Sequence, residues 1–338
     1  MSLVEAAAAA SEADCAFKNI PIIDLSNISS PDPAVRRGLA DEVRDACMNV
    51  GFFYVKNHGV PDRVIDSALS NAKYFFGLPM ELKMKIENKT TPNWKGYSPL
   101  LSGNNDPNGK GDLQEGFEFG WESPPLEREG DSEGKANGVT VLDGKNVWPF
   151  EVPGFRVAAV EYYHALVNLG KLLFPIFALA LDIDETFFDD KTKTSAALMR
   201  IIHYPDQTGP TDEGVIGIGA HTDWECFTIL WQEPNIQALQ VLNADKEWID
   251  IPPITGTFVV NLGDQFARWT NDIFKSTVHR VINRSGRRRF STPLFFGTDY
   301  GVRLEPIPSC ISPDRPLKYE VVTAGEYVKA KLEATYGR

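Results

Sequence analysis

Between residues 196 and 297 the chain is cut into eight short β-rich runs, and that rhythm restricts its fold more than any other feature. The runs cover 198–204, 216–221, 226–231, 239–242, 247–251, 257–262, 277–283 and 290–297, with Gly, Pro, Asn and Asp turns between them. Pieces this short suit strands better than helices, which need about ten residues or more. Eight in succession predict a double-stranded β-helix, the jelly roll of two facing sheets found in cupins.

Helical patterns flank this core. Asp32-Pro33 opens one whose apolar positions Val35, Leu39, Val43, Ala46, Cys47 and Val50 keep helical spacing up to Gly51. A second covers 64–76, and Pro79 begins another. The longest, 155–181, carries Val160, Tyr163, Leu166, Val167, Leu173, Phe174 and Phe177 on one broad stripe with Gly170 as a small gap, and is expected to support a sheet. Its most apolar part, 172–181, is too short to span a bilayer and contains Pro175, which predicts a buried, kinked helix. Thr323-Ala324-Gly325-Glu326 is a capping box that starts a last helix to about residue 335. Strands are also expected at 20–25 and 52–56. The chain therefore reads as one mainly β domain over 1–338: a disordered tail (1–18), a helical and substrate-lid region (19–150), the support helix and jelly-roll core (151–300), and a C-terminal extension with its helix (301–338).

The chemistry-bearing residues lie inside the β-rich runs. His221 and Asp223, two apart, are expected on one face of a strand, where imidazole and carboxylate make a two-toothed metal claw. His279, from a distant Val- and Ile-bearing run, completes a 2-His-1-carboxylate set that covers one face of an octahedral ion and suits non-heme Fe(II). Zinc with three ligands and a water is the competing metal reading, and nearby Cys226 falls outside the ligand pattern. Downstream, Arg289 and Ser291 offer a guanidinium fork and a hydroxyl, a match for a carboxylate that Lys cannot reproduce. His58, in an Asn-His-Gly turn, reads as a turn histidine, and His164, on the long helix, as a half-buried core histidine.

The ordered combination of His221-Thr222-Asp223, His279-Arg280-Val281 and Arg289-Phe290-Ser291 resembles the iron(II)- and 2-oxoglutarate-dependent dioxygenase superfamily, in its isopenicillin N synthase-like branch. The openings Ile20 to Leu25 and Gly51 to Gly59 are similar to that family too, so the resemblance spans nearly the whole chain. It implies the same jelly-roll fold, Fe(II) on His221, Asp223 and His279, O2 as oxidant, and 2-oxoglutarate as co-substrate with its far carboxylate on Arg289 and Ser291. Tyr204 matches a tyrosine that helps hold the co-substrate, although Ile202 stands where plant members carry Asn. Lys95-Gly96-Tyr97 resembles an R-G-Y element with Lys for Arg. Tyr97 and Phe119, from the Gly- and Asn-rich stretch 92–141, are expected to line the substrate, as are Trp224, Phe227, Phe266 and Phe296 beside the motifs. That long irregular stretch is expected to form a wall or lid over the iron.

The implied activity is removal of hydrogen from a small, secondary-metabolite type of substrate, giving hydroxylation, desaturation or ring closure with succinate and CO2 as co-products. An oxidase that uses the R-x-S pair for its substrate's carboxylate, a non-catalytic jelly-roll binder and a zinc hydrolase are the alternatives. A formal charge of −12 argues against nucleic acid or an anionic membrane as partner. The four cysteines, without C-x-x-C spacing, fit a reducing, cytoplasmic setting, and nothing in the sequence speaks to oligomeric state.

Overall fold

The computed structural model describes residues 3–5, 16–103, 111–122, 144–193, 196–206 and 217–336. From the first half of the chain come β1 (Ile22–Asp24), β2 (Phe52–Lys56), β3 (Gly96–Ser98) and β4 (Glu115–Gly120). The second half supplies β5 (Ala197–Tyr204), β6 (Ile218–His221), β7 (Phe227–Gln232), β8 (Leu239–Leu242), β9 (Trp248–Asp250), β10 (Thr257–Leu262), β11 (His279–Val281) and β12 (Arg289–Phe296). The major sheet runs β1-β2-β10-β7-β12-β5-β4-β3 and the minor sheet β6-β11-β8-β9. The eight runs read from the sequence thus divide evenly between two sheets, as a jelly roll requires. β1 and β2 extend the major sheet at one edge, β4 and β3 at the other, so strands from both halves share one hydrogen-bonded layer.

Five helices of six residues or more accompany the sheets among the described residues: α1 (Pro33–Asn49), α2 (Asp62–Phe76), α3 (Pro153–Ala180), α4 (Asp264–Trp269) and α5 (Ala324–Tyr336). α1 starts where Asp32 accepts a hydrogen bond from the Ala34 amide at 2.8 Å. α5 begins with the expected reciprocal cap: Glu326 N donates to Thr323 Oγ1 at 3.1 Å, and Thr323 N to Glu326 Oε2 at 2.8 Å. α3 runs unbroken through Pro175. It is long and apolar enough to cross a membrane, but most of that apolar stretch is buried, with α1 and α2 on one side and the major sheet on the other. Arg44 fastens α1 to the end of α3, donating to Ala180 O at 2.6 Å and pairing with Asp182 at 2.5 Å. α4 follows directly on β10 and is too short for a periodic pattern to have marked it.

Each major-sheet strand serves two surroundings through strict alternation. On β12, Phe290, Leu294 and Phe296 join the core on the α3 side, and Thr292 bonds Tyr162 Oη at 2.9 Å there. Arg289, Ser291, Pro293 and Phe295 point the other way, into a cavity between the sheets. β7 divides likewise: Phe227 and Ile229 in the core, Thr228 and Leu230 on the cavity.

The structure places five of the expected substrate-lining residues in the core instead, four of them through this alternation. Phe227 and Phe296 stack at 5.3 Å and pack on Phe174 of α3 at 5.2 and 5.3 Å. The Phe296 ring lies so close to Gly170 that a side chain there would overlap it, which is why the helix has a gap at that position. Phe266, on α4, packs against Phe177 at 5.1 Å. Phe119 sits on the core face of β4 against Trp148 at 5.0 Å. Tyr97 is fully buried and donates to Glu115 Oε2 at 2.5 Å, also on that face. The tail expectation is corrected in part: residues 3–5 are helical and Leu3 is buried in the main core, so its apolar contacts hold that piece in place, while residues 6–15 lie outside those described. Parts of the lid stretch, 104–110 and 123–141, fall outside them as well.

Truncating a core aromatic typically costs about 3–5 kcal/mol. Phe296→Ala is expected to lose stability of that order in urea unfolding, and Phe295→Ala, half-exposed on the cavity face, clearly less. Equal losses would contradict the assignment of the two faces.

Candidate active site

The cavity between the sheets, about 180 Å³ in volume, brings together residues from almost every part of the fold. His221 ends β6 and His279 begins β11, and the two are direct cross-strand partners with ring centroids 4.3 Å apart. Asp223 does not lie on the strand with His221, as its spacing suggests, but in the turn that follows β6. Its Oδ1 comes within 3.7 Å of His221 Nε2 and 3.6 Å of His279 Nε2, and one ligand atom from each residue falls within 4.8 Å of the others.

Hydrogen bonds aim all three groups. His221 Nδ1 is 2.7 Å from Gly219 O and His279 Nδ1 is 3.1 Å from Thr277 O. A carbonyl only accepts, so in each neutral ring the proton sits on Nδ1 and the Nε2 lone pair is left toward the cavity. Asp223 Oδ2 accepts from Asn261 Nδ2 at 2.7 Å and from Thr228 Oγ1, leaving Oδ1 to the imidazoles. The turn is held tightly against the end of β10: Asp264 N donates to Asp223 O at 2.8 Å, and a Cβ on Gly263 would lie 2.9 Å from that same oxygen.

Burial is the largest influence on the Asp223 carboxyl and raises its pKa, but the His279 and His221 rings together with the Asn261 and Thr228 hydrogen bonds outweigh it and hold the group below its usual range. Burial, reinforced by His221 and opposed by Asp223, pushes the His279 imidazole down to about 4. An ionised carboxylate and neutral imidazoles are the forms that bind a metal. Glu225, on the same cavity, is pushed up to about 8 by burial first and by the Asp223 and Asp264 charges second.

A second polar centre lies at the start of β12. Arg289 is fully buried, stacks its guanidinium 4.9 Å over the ring of Tyr204, its cross-strand partner, and donates through Nη2 to Gln232 Oε1 at 3.2 Å. Its Nε and Nη1 have no partner. The neighbouring Glu233 is committed to Lys73 at 3.0 Å and to the Phe290 amide at 2.8 Å. Ser291 Oγ donates to Tyr204 Oη at 3.4 Å on the same face. A buried guanidinium with two unfilled donors is costly unless an anion meets it. Arg289, Ser291 and Tyr204 thus gather donors that suit an anion on one face.

Of the expected substrate-lining aromatics only Trp224 faces the cavity. Sequence reasoning missed Asn88, Trp94, Glu118, Leu198, Arg200, Phe295 and, from α5, Val328 and Leu332. Some had a signal: counting by twos from Tyr204 reaches Ile202, Arg200 and Leu198, and counting by twos from Ser291 reaches Pro293 and Phe295. His58 and His164 behave as expected, His58 accepting from the Val60 amide at 3.2 Å and His164 Nε2 lying 2.7 Å from Glu122 O.

A largely buried His-Asp-His cluster beside a buried guanidinium with unfilled donors, inside a jelly roll, is the arrangement of a non-heme iron oxygenase. The chain belongs to the 2OG-Fe(II) oxygenase superfamily: residues 195–298 match the model described by that name, and residues 20–151 match the N-terminal region of the non-haem dioxygenase in morphine synthesis. It is 38% identical over 327 residues to the 2-oxoglutarate-Fe(II) type oxidoreductase hxnY of Emericella nidulans, covering 94% of this chain and 90% of that one. A homoarginine-6-hydroxylase of Oryza sativa subsp. japonica is 34% identical over 94% of this chain and 97% of its own. Among solved structures, a full-length Neurospora crassa protein in complex with α-ketoglutarate (2-oxoglutarate) and thymine superposes with a TM-score of 0.81 at 28% identity, covering 94% of this chain and 97% of that one. The protein is thus a dioxygenase that uses Fe(II), 2-oxoglutarate and O2, and the zinc-hydrolase and non-catalytic readings fall away.

Groups that orient a metal ligand typically account for about 10- to 100-fold in metal affinity. Asn261→Ala is accordingly expected to weaken Fe(II) binding by roughly that factor, read by anaerobic metal titration, while Asp223→Ala abolishes it. Unchanged affinity in Asn261→Ala would show that the Oδ2 hydrogen bond does not position the carboxylate.

Proposed function

We propose that His221 Nε2, Asp223 Oδ1 and His279 Nε2 hold the iron, and that Arg289, Ser291 and Tyr204 hold the far carboxylate of 2-oxoglutarate. The observation that carries the second assignment is the pair of unpartnered nitrogens on fully buried Arg289. When bound, Fe(II) with 2-oxoglutarate and O2 supplies the oxidant that removes hydrogen from the substrate, with succinate and CO2 as co-products. The protein's own part is to bind, orient and exclude water. Thr228 and Asn261 keep Asp223 turned toward the two imidazoles. Gln232 and the Tyr204 ring hold the Arg289 fork in the plane where a carboxylate meets it.

The substrate is a small molecule that fits the space left between the sheets. Relatives and neighbours named for homoarginine and thymine are consistent with that scale. The whole chain acts as one catalytic unit, since β4 and α5 both contribute to the same cavity as β6 and β11. Cys47, Cys226 and Cys310, buried and unpaired, fit a cytoplasmic location.

Loss of one partner from a buried, charge-assisted pair costs about 2–5 kcal/mol, or roughly one and a half to three and a half decades in affinity. Arg289→Ala is expected to raise the 2-oxoglutarate requirement by that much, in succinate-release assays across a 2-oxoglutarate titration, with Fe(II) binding intact. Full wild-type turnover in 2-oxoglutarate-free buffer would instead give Arg289 to the substrate's own carboxylate.

A further inference from the structure

The cavity has a second polar pole that the iron and the co-substrate leave unused. Glu118 on β4 and Arg200 on β5 are direct cross-strand partners, and both side chains face the cavity. Arg200 Nε lies 3.0 Å from Glu118 Oε1 but out of line for a hydrogen bond, so that buried nitrogen has no hydrogen-bond partner, while Nη2 donates to Gln114 Oε1 at 3.1 Å. Asn88 also lines the cavity. Its Nδ2 donates to Ser98 Oγ at 3.0 Å, and its buried Oδ1 has no partner. Gly116, diagonal to Arg200 across the strands, leaves the guanidinium its room: a Cβ there would sit 2.8 Å from Nε.

The position of this pole separates it from the co-substrate seat. Arg200 and Tyr204 lie four residues apart on one face of β5, about 13 Å at roughly 3.3 Å per residue. Between and beside them the wall is apolar: Leu198 pairs with Phe295 across β5 and β12, and Leu332 of α5 borders the same space.

We propose that Glu118, Arg200 and Asn88 form the substrate-recognition subsite, and that it takes the N–H/C=O edge of a small uncharged ring amide, a lactam or ring imide. The proposal rests on the reading that 2-oxoglutarate occupies Arg289. Glu118 offers an acceptor beside the donors of Arg200, the complement of an N–H next to a carbonyl on one ring edge. The ion pair is neutral as a unit, so a lone anion meets the Glu118 carboxylate and a lone cation meets the Arg200 guanidinium. A zwitterion would satisfy both signs, but at the cost of desolvating two further full charges between apolar walls. Asn88 Oδ1 supplies an acceptor for a second N–H, as in a ring imide or ureide. The flat, apolar surroundings accept the faces of a ring.

The test is calorimetric titration of uracil and of 2-piperidone into the Fe(II)- and 2-oxoglutarate-loaded protein without oxygen. 1,3-Dimethyluracil and N-methyl-2-piperidone, which lack the N–H, are expected to bind roughly ten- to a hundredfold more weakly than their parents. Arg200→Met, and Arg200→Lys as the variant that keeps the charge but loses the fork, are expected to lower affinity for both parents by a similar factor with 2-oxoglutarate affinity unchanged. Glu118→Gln, whose amide donates as well as accepts, narrows the gap between parent and methylated rings. Parents that do not bind, equal binding of parent and methylated rings, or tighter binding of a zwitterion such as β-alanine or of the multiply charged homoarginine overturns the subsite while leaving the iron and co-substrate sites standing. Failure of the wild-type protein to bind 2-oxoglutarate overturns the underlying reading and the subsite with it.

Discussion

The major sheet has to satisfy two opposite environments at once, and the rest of the molecule depends on how it does so. Along β12, successive residues alternate between the aromatic layer under α3 and the cavity that faces the minor sheet, in steps of about 3.3 Å. The outward set of Phe290, Leu294 and Phe296 buries large apolar area, each such side chain being worth about 1.5–3 kcal/mol. That burial offsets the expense on the inward face, where a fully buried arginine keeps two donors unfilled. A slip of one residue would turn Arg289 into the aromatic layer and Phe290 and Phe296 into the cavity, so core and chemistry are locked to one register.

The same division governs the part of the sheet built from the first half of the chain. On the core face of β4, Glu115 accepts from Lys83 at 2.7 Å, from Tyr97 at 2.5 Å and lies 2.7 Å from His203 Nδ1. Burial raises the Glu115 pKa, but His203, Lys83 and Tyr97 together bring it below the ordinary value. Removing one member of such a buried set typically costs about 3–5 kcal/mol, because the remaining charge is stranded. This network ties the segment 80–98 to β4 and β5 from behind, and on the opposite face β4 then presents Glu118 to the cavity. Lys83 and Tyr97 thus brace, from the core side, a strand whose opposite face lines the cavity.

The minor sheet carries the other half of the site with less material. β6 and β11 are short, four and three residues, yet their pairing sets His221 directly against His279. Asp223 reaches the same point from outside the strand because Gly263 lets the β10–α4 junction approach its backbone closely. The three proposed iron ligands, from a strand end, a turn and a strand start, are thereby placed by backbone hydrogen bonds, with side-chain bonds supplying only the final aim.

Much of this was legible in the sequence alone. Eight β-rich runs, the capping box at Thr323, the long apolar helix and the types of residue at 221, 223, 279, 289 and 291 all depend on local spacing or on intrinsic chemistry, which a chain carries wherever it folds. What spacing could not decide is which side of a sheet becomes the inside. Phe296 and Phe295 are neighbours of equal hydrophobicity, and only the position of α3, with Gly170 opened for one ring, assigns the first to the core and the second to the cavity. Tyr97 and Phe119 were misplaced for the same reason, being aromatic residues of the 92–141 stretch whose facing is set by β3 and β4 joining a sheet formed mostly by strands from the second half of the chain. Arg200 could be reached by counting along β5 from Tyr204, but Glu118 and Asn88 left no such pattern, since their meeting with Arg200 is the product of strand order, and strand order is a property of the packed whole that minimises buried unpaired groups across every layer together.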